Sequence, residues 1–207
     1  FDGLKKLVKS GEVDTVIVAQ IDMQGRLMGK RFHADHFVSS AYRQTHSCNY
    51  LLTVDMEMEP VPGFKSASWE QGYGDYVMTP DMNTLRLIPW QEGAALVLCD
   101  VSDHHGTPVP MSPRNLLKRQ IARLADMGMA AKAATELEFY LFKQSFEAAA
   151  ETGYRQLEPI SVYNEDYHIF QTTKEEHVMR PIRNLLYAAG IPVENSKGEA
   201  ETGQEEL

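Results

Sequence analysis

Thr135-Glu136-Leu137-Glu138-Phe139-Tyr140-Leu141-Phe142 is the stretch on which the fold and chemistry of this chain turn. Successive side chains of a β-strand point to opposite faces. Thr135, Leu137, Phe139 and Leu141 therefore share one face, an apolar one that calls for a core. Glu136, Glu138 and Tyr140 share the other. Two strand rises set the glutamate Cα atoms ~6.6 Å apart with their side chains parallel. Two like charges at that spacing repel by roughly 2 kcal/mol at an effective dielectric of about 20. A cation between them reverses the sign. The same pattern suits a solvated strand face, and this segment alone leaves both readings open.

A second acidic segment lies at the far end: Gly198-Glu199-Ala200-Glu201-Thr202-Gly203-Gln204-Glu205-Glu206-Leu207. With Thr202-Gly203 as a two-residue turn, Glu201 pairs with Gln204, Ala200 with Glu205, and Glu199 with Glu206. Like charges directly opposite destabilise a ladder unless a cation sits there. An acidic surface loop is the alternative. Together the segments offer only carboxylates, with no cysteine among them, a donor set that suits Mg²⁺ or Mn²⁺. Hard cations beside a nucleotide commonly serve phosphoryl transfer. No GxxxxGK[ST] occurs, which excludes a Walker-type phosphate loop.

Outward from these segments the chain reads as α+β. Phe1, Leu4, Leu7 and Val8 give residues 1–10 one apolar helical side. Strands are predicted over Val16–Ile21 and Arg26–Phe32 about a turn at Gln24-Gly25, then over Thr84–Trp90 and Ala94–Val101. His33 to Gln44 reads as helical or irregular, and prolines and glycines make 57–75 a loop. Residues 11–105 thus form a strand-rich domain with a mixed sheet, and Gly106–Pro110 a linker. Ser112 as N-cap and Pro113 at the first position open a helix carrying Leu117, Ile121 and Leu124, closed by Gly128. Thr173 and Glu176 suit a capping box for a helix with Val178, Ile182, Leu185 and Leu186, which Pro181 kinks or starts. Ile191–Glu194 reads as a further strand.

The 207 residues carry a net charge of −9, which disfavours a nucleic-acid or anionic-membrane partner. The absence of a long apolar run or a signal peptide, and two distant cysteines (Cys48, Cys99) read as reduced thiols, point to a cytoplasmic protein. The ends, Phe1 and Glu205-Glu206-Leu207, look cut. His33, His36, His104 and His105 read as loop or surface residues, and Met78 and Met82 as packing. Trp69 and Tyr73 are expected to pack under the glycine-rich loop rather than to touch a partner.

These residues resemble the glutamine synthetase superfamily. Glu136 to Phe142 is similar to its ExEFFLF-type metal strand, and Glu199 to Glu206, with Gly203-Gln204 between, to its E-x4-GQ-x-E segment. Glu194 to Glu199 resembles the stretch before that segment. Gly74 to Asp81 and Arg86 to Trp90 match its N-terminal β-grasp domain. Cys99-Asp100-Val101 and Ser112-Pro113-Arg114 match the junction into its catalytic domain. The likeness covers nearly the whole chain in the right order.

The resemblance implies a β-grasp domain over 1–106 and the first part of a catalytic α+β domain over 107–207. It implies that Glu138, Glu199 and Glu206 bind one metal ion, Mg²⁺ or Mn²⁺, that Glu136 binds a second bridging the ATP phosphates, and that Glu194 lies near the nucleotide. The implied reaction is ATP-dependent ligation of glutamate to ammonia or an amine through an acyl phosphate. A homo-oligomer of two stacked hexamers is implied as well. The family's remaining metal ligands and substrate arginines lie beyond Leu207, so the 207 residues alone are expected to be inactive. Pro62 to Trp69 lacks the Asp of the DGSS-type loop of ammonia-using members, which favours another amine. The competing readings are a non-catalytic scaffold of the same fold and an unrelated acidic cation-binding module.

Overall fold

Five uncharged β-branched or small residues in a row make Thr15–Ile21 (β1) a strand that can be buried on both faces. It follows an amphipathic helix, Asp2–Ser10 (α1), stopped by Gly11 at φ 80°. A hairpin leads into Leu27–His33 (β2), paired antiparallel to β1. Its turn is built by the buried Asp22, whose Oδ1 accepts from the Gln24 and Arg26 amides while Oδ2 takes the Arg26 Nε at 2.7 Å. A short helix, Ala34–His36 (α2), runs on as a π-helical turn over Phe37–Ala41. Strands Thr45–Cys48 (β3), Asp75–Pro80 (β4), Arg86–Leu87 (β5) and Ala94–Ser102 (β6) complete the sheet.

Its order is β2-β1-β6-β4-β3, with β5 also on β6. The β1–β6 pair is parallel and the others antiparallel, so the sheet is mixed. Leu4, Val16, Val18, Phe37, Met78 and Val97 form the core between it and α1 and α2. A helix, Pro113–Asp126 (α3), follows. The buried Asn115 donates to the Val101 and Val109 carbonyls at 2.7 and 3.0 Å and anchors its first turn on β6.

The computed structural model describes residues 1–70 and 72–207, in two compact units, Phe1–Ala131 and Lys132–Leu207. Gln71, inside the loop predicted over 57–75, lies outside the described residues. The second unit holds Glu138–Tyr140 (β7), Phe146–Glu151 (α4), Ile169–Thr172 (α5), Glu176–Ala188 (α6), Lys197–Gly198 (β8) and Gln204–Glu206 (β9). Strand β9 lies between β7 and β8, antiparallel to both.

Several expectations need correction. The strand predicted over 135–142 is regular only at Glu138–Tyr140, because its partner β9 is three residues long; Leu137 still exchanges backbone hydrogen bonds with Leu207. Its apolar face is not a closed core here, since Leu137 is exposed. The strand over 84–90 shortens to Arg86–Leu87, and 191–194 is no strand. β3 and β4 were not predicted: their short mixed-polarity runs, THSC and DYVMTP, carry weak alternation. Ser112 makes no side-chain cap, and Leu117 and Ile121 on α3 are 61% and 57% exposed rather than core. Thr173 forms no capping box either: its hydroxyl donates back to the Ile169 carbonyl at 2.6 Å, and α6 begins after Glu175. Pro181 lies inside α6, which continues through it. Trp69 is 83% exposed and does not pack under the loop, whereas the half-buried Tyr73 packs edge-on against Tyr50 at 5.5 Å.

Candidate metal centre

Glu206 is the middle residue of a row that crosses the three-stranded sheet. On one side it pairs with Glu138, on the other with Lys197. The predicted turn at Thr202-Gly203 is present, closed by the Gln204 amide on the Glu201 carbonyl, but the predicted ladder register is wrong by two: the Glu199 amide bonds to the Gln204 carbonyl. This register places a lysine, not Glu199, opposite Glu206 and relieves the like-charge pairing that the predicted register would have imposed. Gly203, at φ 75°, is the second residue of the turn, where its absent Cβ would lie 2.9 Å from the Leu141 carbonyl oxygen.

Glu136, Glu138, Glu199 and Glu206 each bring a carboxylate oxygen to one place, all within 4.8 Å of one another. Glu136 and Glu138 are exposed and the other two are partly buried. β7 supplies Glu138 and the residues just before it Glu136; β9 supplies Glu206; the turn after β8 supplies Glu199. Gln204, two residues before Glu206 and so on the same face, donates its Nε2 to Glu138 Oε2 at 2.7 Å and aims that carboxylate.

The ammonium of Lys197 already stands in this cluster. It hydrogen-bonds Glu199 Oε1, lies 3.1 Å from Glu206 Oε2 and 3.6 Å from Asp166 Oδ1, and sits over the Tyr167 ring at 4.6 Å. Its hydrogen bond to Glu199 is the main reason its pKa is held above the ordinary lysine value. The same bond, with the Ala200 amide, pulls the Glu199 carboxyl down to about 2. Glu206 moves the opposite way, because Glu199 shares a hydrogen bond with it and opposes its ionisation. The donor set is thus four oxygens that need a positive charge to coexist, with one organic cation provided. It fits hard divalent cations.

Beside the cluster lies a groove of about 830 Å³ lined by Glu136, Leu186, Pro192, Glu194 and Glu206. Glu194, on the irregular 191–196 segment, is therefore brought to the same place as the metal candidates. Sequence reasoning missed Lys197, Asp166 and Gln204. Gln204 was legible from its spacing to Glu206; Lys197 was hidden by the wrong register. His33, His36, His104 and His105 are exposed and take no part. Cys48 and Cys99 are free thiols, and burial pushes Cys99 up to about 12.

Residues 110–207 match the family described as the glutamine synthetase catalytic domain. The chain is 45% identical over 205 residues to γ-glutamylethanolamide synthetase GlnA4 of Streptomyces coelicolor, covering 99% of this chain and 44% of that protein. It is 31% identical over 205 residues to glutamate–isopropylamine ligase of a Pseudomonas species, covering 99% of this chain and 45% of that one. The chain thus spans under half the length of these relatives. Among solved structures, a GmaS/ADP complex aligns with TM-score 0.75 at 20% identity, over 98% of this chain and 43% of that chain. A Plasmodium falciparum glutamine synthetase aligns with TM-score 0.67 at 15% identity, over 100% of this chain and 44% of that chain. A mixed α/β fold like these structures and the sequence matches agree with the resemblance of the acidic segments: the chain belongs to the glutamine synthetase superfamily.

Proposed function

We propose that the protein to which this chain belongs ligates an amine to the γ-carboxylate of glutamate at the expense of ATP. The observation that carries the proposal is that Glu136, Glu138, Glu199 and Glu206 each bring a carboxylate oxygen within 4.8 Å of the others. Glu138, Glu199 and Glu206 would hold one divalent ion, Mg²⁺ or Mn²⁺, and Glu136 a second. Bound there, such ions supply positive charge that neutralises phosphate oxygens and lets two anionic reactants approach.

The chain's own residues do the positioning. Gln204 orients Glu138, and the Ala200 amide orients Glu199 through a 2.9 Å bond. Lys197 offsets the negative charge of Glu199 and Glu206. Glu194 lines the groove beside Glu136, where the nucleotide would lie. The glutamate γ-carboxylate then attacks the γ-phosphorus of ATP, ADP leaves, and an acyl phosphate forms. The amine attacks its carbonyl carbon, loses a proton and expels phosphate.

Two relatives named for amide formation with ethanolamine and isopropylamine support an organic amine as the acceptor. We also propose a β-grasp domain over 1–106, a catalytic part over 107–207, a homo-oligomer of two stacked hexamers and a cytoplasmic location. The start of the family match at residue 110 supports the domain division; α3 clusters with the first compact unit through its anchor on β6.

The full-length protein tests the reaction. Phosphate release should require L-glutamate, ATP and one member of a panel containing ammonia, ethanolamine and isopropylamine. Glu138→Ala should lower it at least about 100-fold, on the scale of losing a key electrostatic contact, while leaving the assembly intact on size exclusion. Turnover within a few-fold of wild type would contradict the site assignment.

A further inference from the structure

Glu205 stands next to Glu206 on β9 but faces the other side of the sheet. There it meets Glu165, from the loop before α5, and Glu175, at the start of α6. One carboxylate oxygen of each lies within 4.8 Å of the others. The three differ from the cluster across the strand in being fully buried, at 0%, 1% and 1% exposure.

Their bonding is incomplete as well as crowded. Glu165 Oε1 accepts from the Gly203 amide at 2.7 Å. Glu165 Oε2, Glu175 Oε2 and Glu205 Oε1 are buried and have no hydrogen-bond partner. Buried carboxylates ordinarily hold a partner for every oxygen, and a buried charge is ordinarily paired. Among the described residues, none of the three forms an ion pair. Arg183, the cation nearest in charge to Glu205, is committed through both Nη atoms to Glu176 at 2.7 Å and also reaches the Ser196 hydroxyl. Lys174 is taken up by Gln171 Oε1 at 2.7 Å, and His177 by the Lys174 carbonyl at 2.9 Å. Glu176 adds a further negative charge beside Glu205.

The backbone is tightly packed at Gly198. A Cβ at Gly198, across the ladder from Glu205, would come within 2.6 Å of the Glu165 carbonyl oxygen. The glycine lets the Glu165 loop close down on β9 and carry its carboxylate to the other two. Three inward carboxylates with three open oxygens, and no protein cation free to meet them, match the inner sphere of a hard divalent ion. Oxygens bound to one such ion at 2.0–2.6 Å lie at most about 4–5 Å apart.

We propose that Glu165, Glu175 and Glu205 hold a buried divalent cation, separate from the candidate catalytic metals and structural in role, pinning the Glu165 loop and the start of α6 to β9. It would order the strand that carries Glu206 without touching the reacting groups.

Mn²⁺ alone, with no nucleotide, is the probe, titrated by electron paramagnetic resonance into metal-stripped full-length protein. Wild type should bind one more Mn²⁺ per subunit than Glu165→Gln, and its thermal midpoint should fall further in EDTA, and recover further with Mn²⁺, than that of Glu165→Gln. A second variant makes the result independent of whether Glu165→Gln folds. Glu136→Gln/Glu138→Gln alters only exposed carboxylates, and it should still retain one tightly held Mn²⁺. Loss of all tight Mn²⁺ from that variant, or equal stoichiometry in wild type and Glu165→Gln, would overturn the buried site and leave the three carboxyls sharing protons instead. Neither outcome depends on ligase turnover.

Discussion

Lys197 shows how one side chain stands in for a metal. Its ammonium lies between Glu199, Glu206 and Asp166, where two of the four candidate ligands would otherwise repel each other without compensation. Lys197→Met should therefore destabilise the metal-stripped full-length protein, lowering its thermal midpoint by a few degrees. Saturating Mn²⁺ should close most of that gap, because the ion takes over the neutralisation. Thermal scans in EDTA and in Mn²⁺ check this; an equal deficit in both would show that Lys197 acts by packing alone. A second charge contact governs acid stability. Burial alone would raise the Asp81 pKa, but the Asn83 amide, Arg114 and Lys118 outweigh it and hold the carboxyl below its ordinary value. A depressed folded pKa gives stability that is fully present above the unfolded value of ~3.9 and is lost as pH falls through the folded one. Asp81→Asn should thus cost about 1 kcal/mol near neutral pH, and the difference from wild type should shrink as the pH falls below the unfolded value of ~3.9. Urea titrations at pH 7 and pH 3 measure both ends.

The elements that build the site are short, and their register carries the chemistry. β9 has only three residues, yet its alternation sends Gln204 and Glu206 to one face and Glu205 to the other. Gly198 is the position in β8 where the backbone of Glu165 comes too close for any side chain. Gly198→Ala should push the two apart, lower the thermal midpoint by several degrees, and weaken Mn²⁺ binding at both clusters at once, because both hang on β9. Unchanged Mn²⁺ binding in that variant would separate the strand from the sites. At this scale the sequence was partly legible. The alternation of Glu136-Leu137-Glu138 placed two carboxylates on one face, and Glu199 and Glu206 joined them as foreseen. The hairpin register was not legible. The Thr202-Gly203 turn was legible from local chemistry, but the ladder beyond it is set two positions back, and only the third strand, which adds Glu138 opposite Glu206, shows why a lysine had to occupy the remaining side. Long-range pairing decided what the turn residues left open. The buried triad was illegible for the same reason. Glu165, Glu175 and Glu205 lie on three different segments with no shared spacing.

At the scale of the molecule, the first unit is a self-sufficient mixed sheet with a core of Val16, Val18, Phe37, Met78 and Val97, and it was readable from its apolar runs. β3 and β4 escaped because their stability comes from pairing on β6 rather than from their own pattern. In the second unit Leu137 is exposed and Phe139 and Leu141 are only partly buried, so the apolar face predicted over 135–142 closes into no core there, although Met179 on α6 is buried. The chain covers under half of its curated relatives, and the chemistry proposed here belongs to the full-length protein. Its central claim is that Glu136, Glu138, Glu199 and Glu206 jointly hold divalent ions for the use of ATP. Mn²⁺ binding to the full-length protein, titrated with and without ATP, tests that most directly. Wild type should bind Mn²⁺ at least about tenfold more tightly when ATP is present, and Glu138→Gln/Glu199→Gln should lose that enhancement. An ATP effect of the same size in the double variant would contradict the claim.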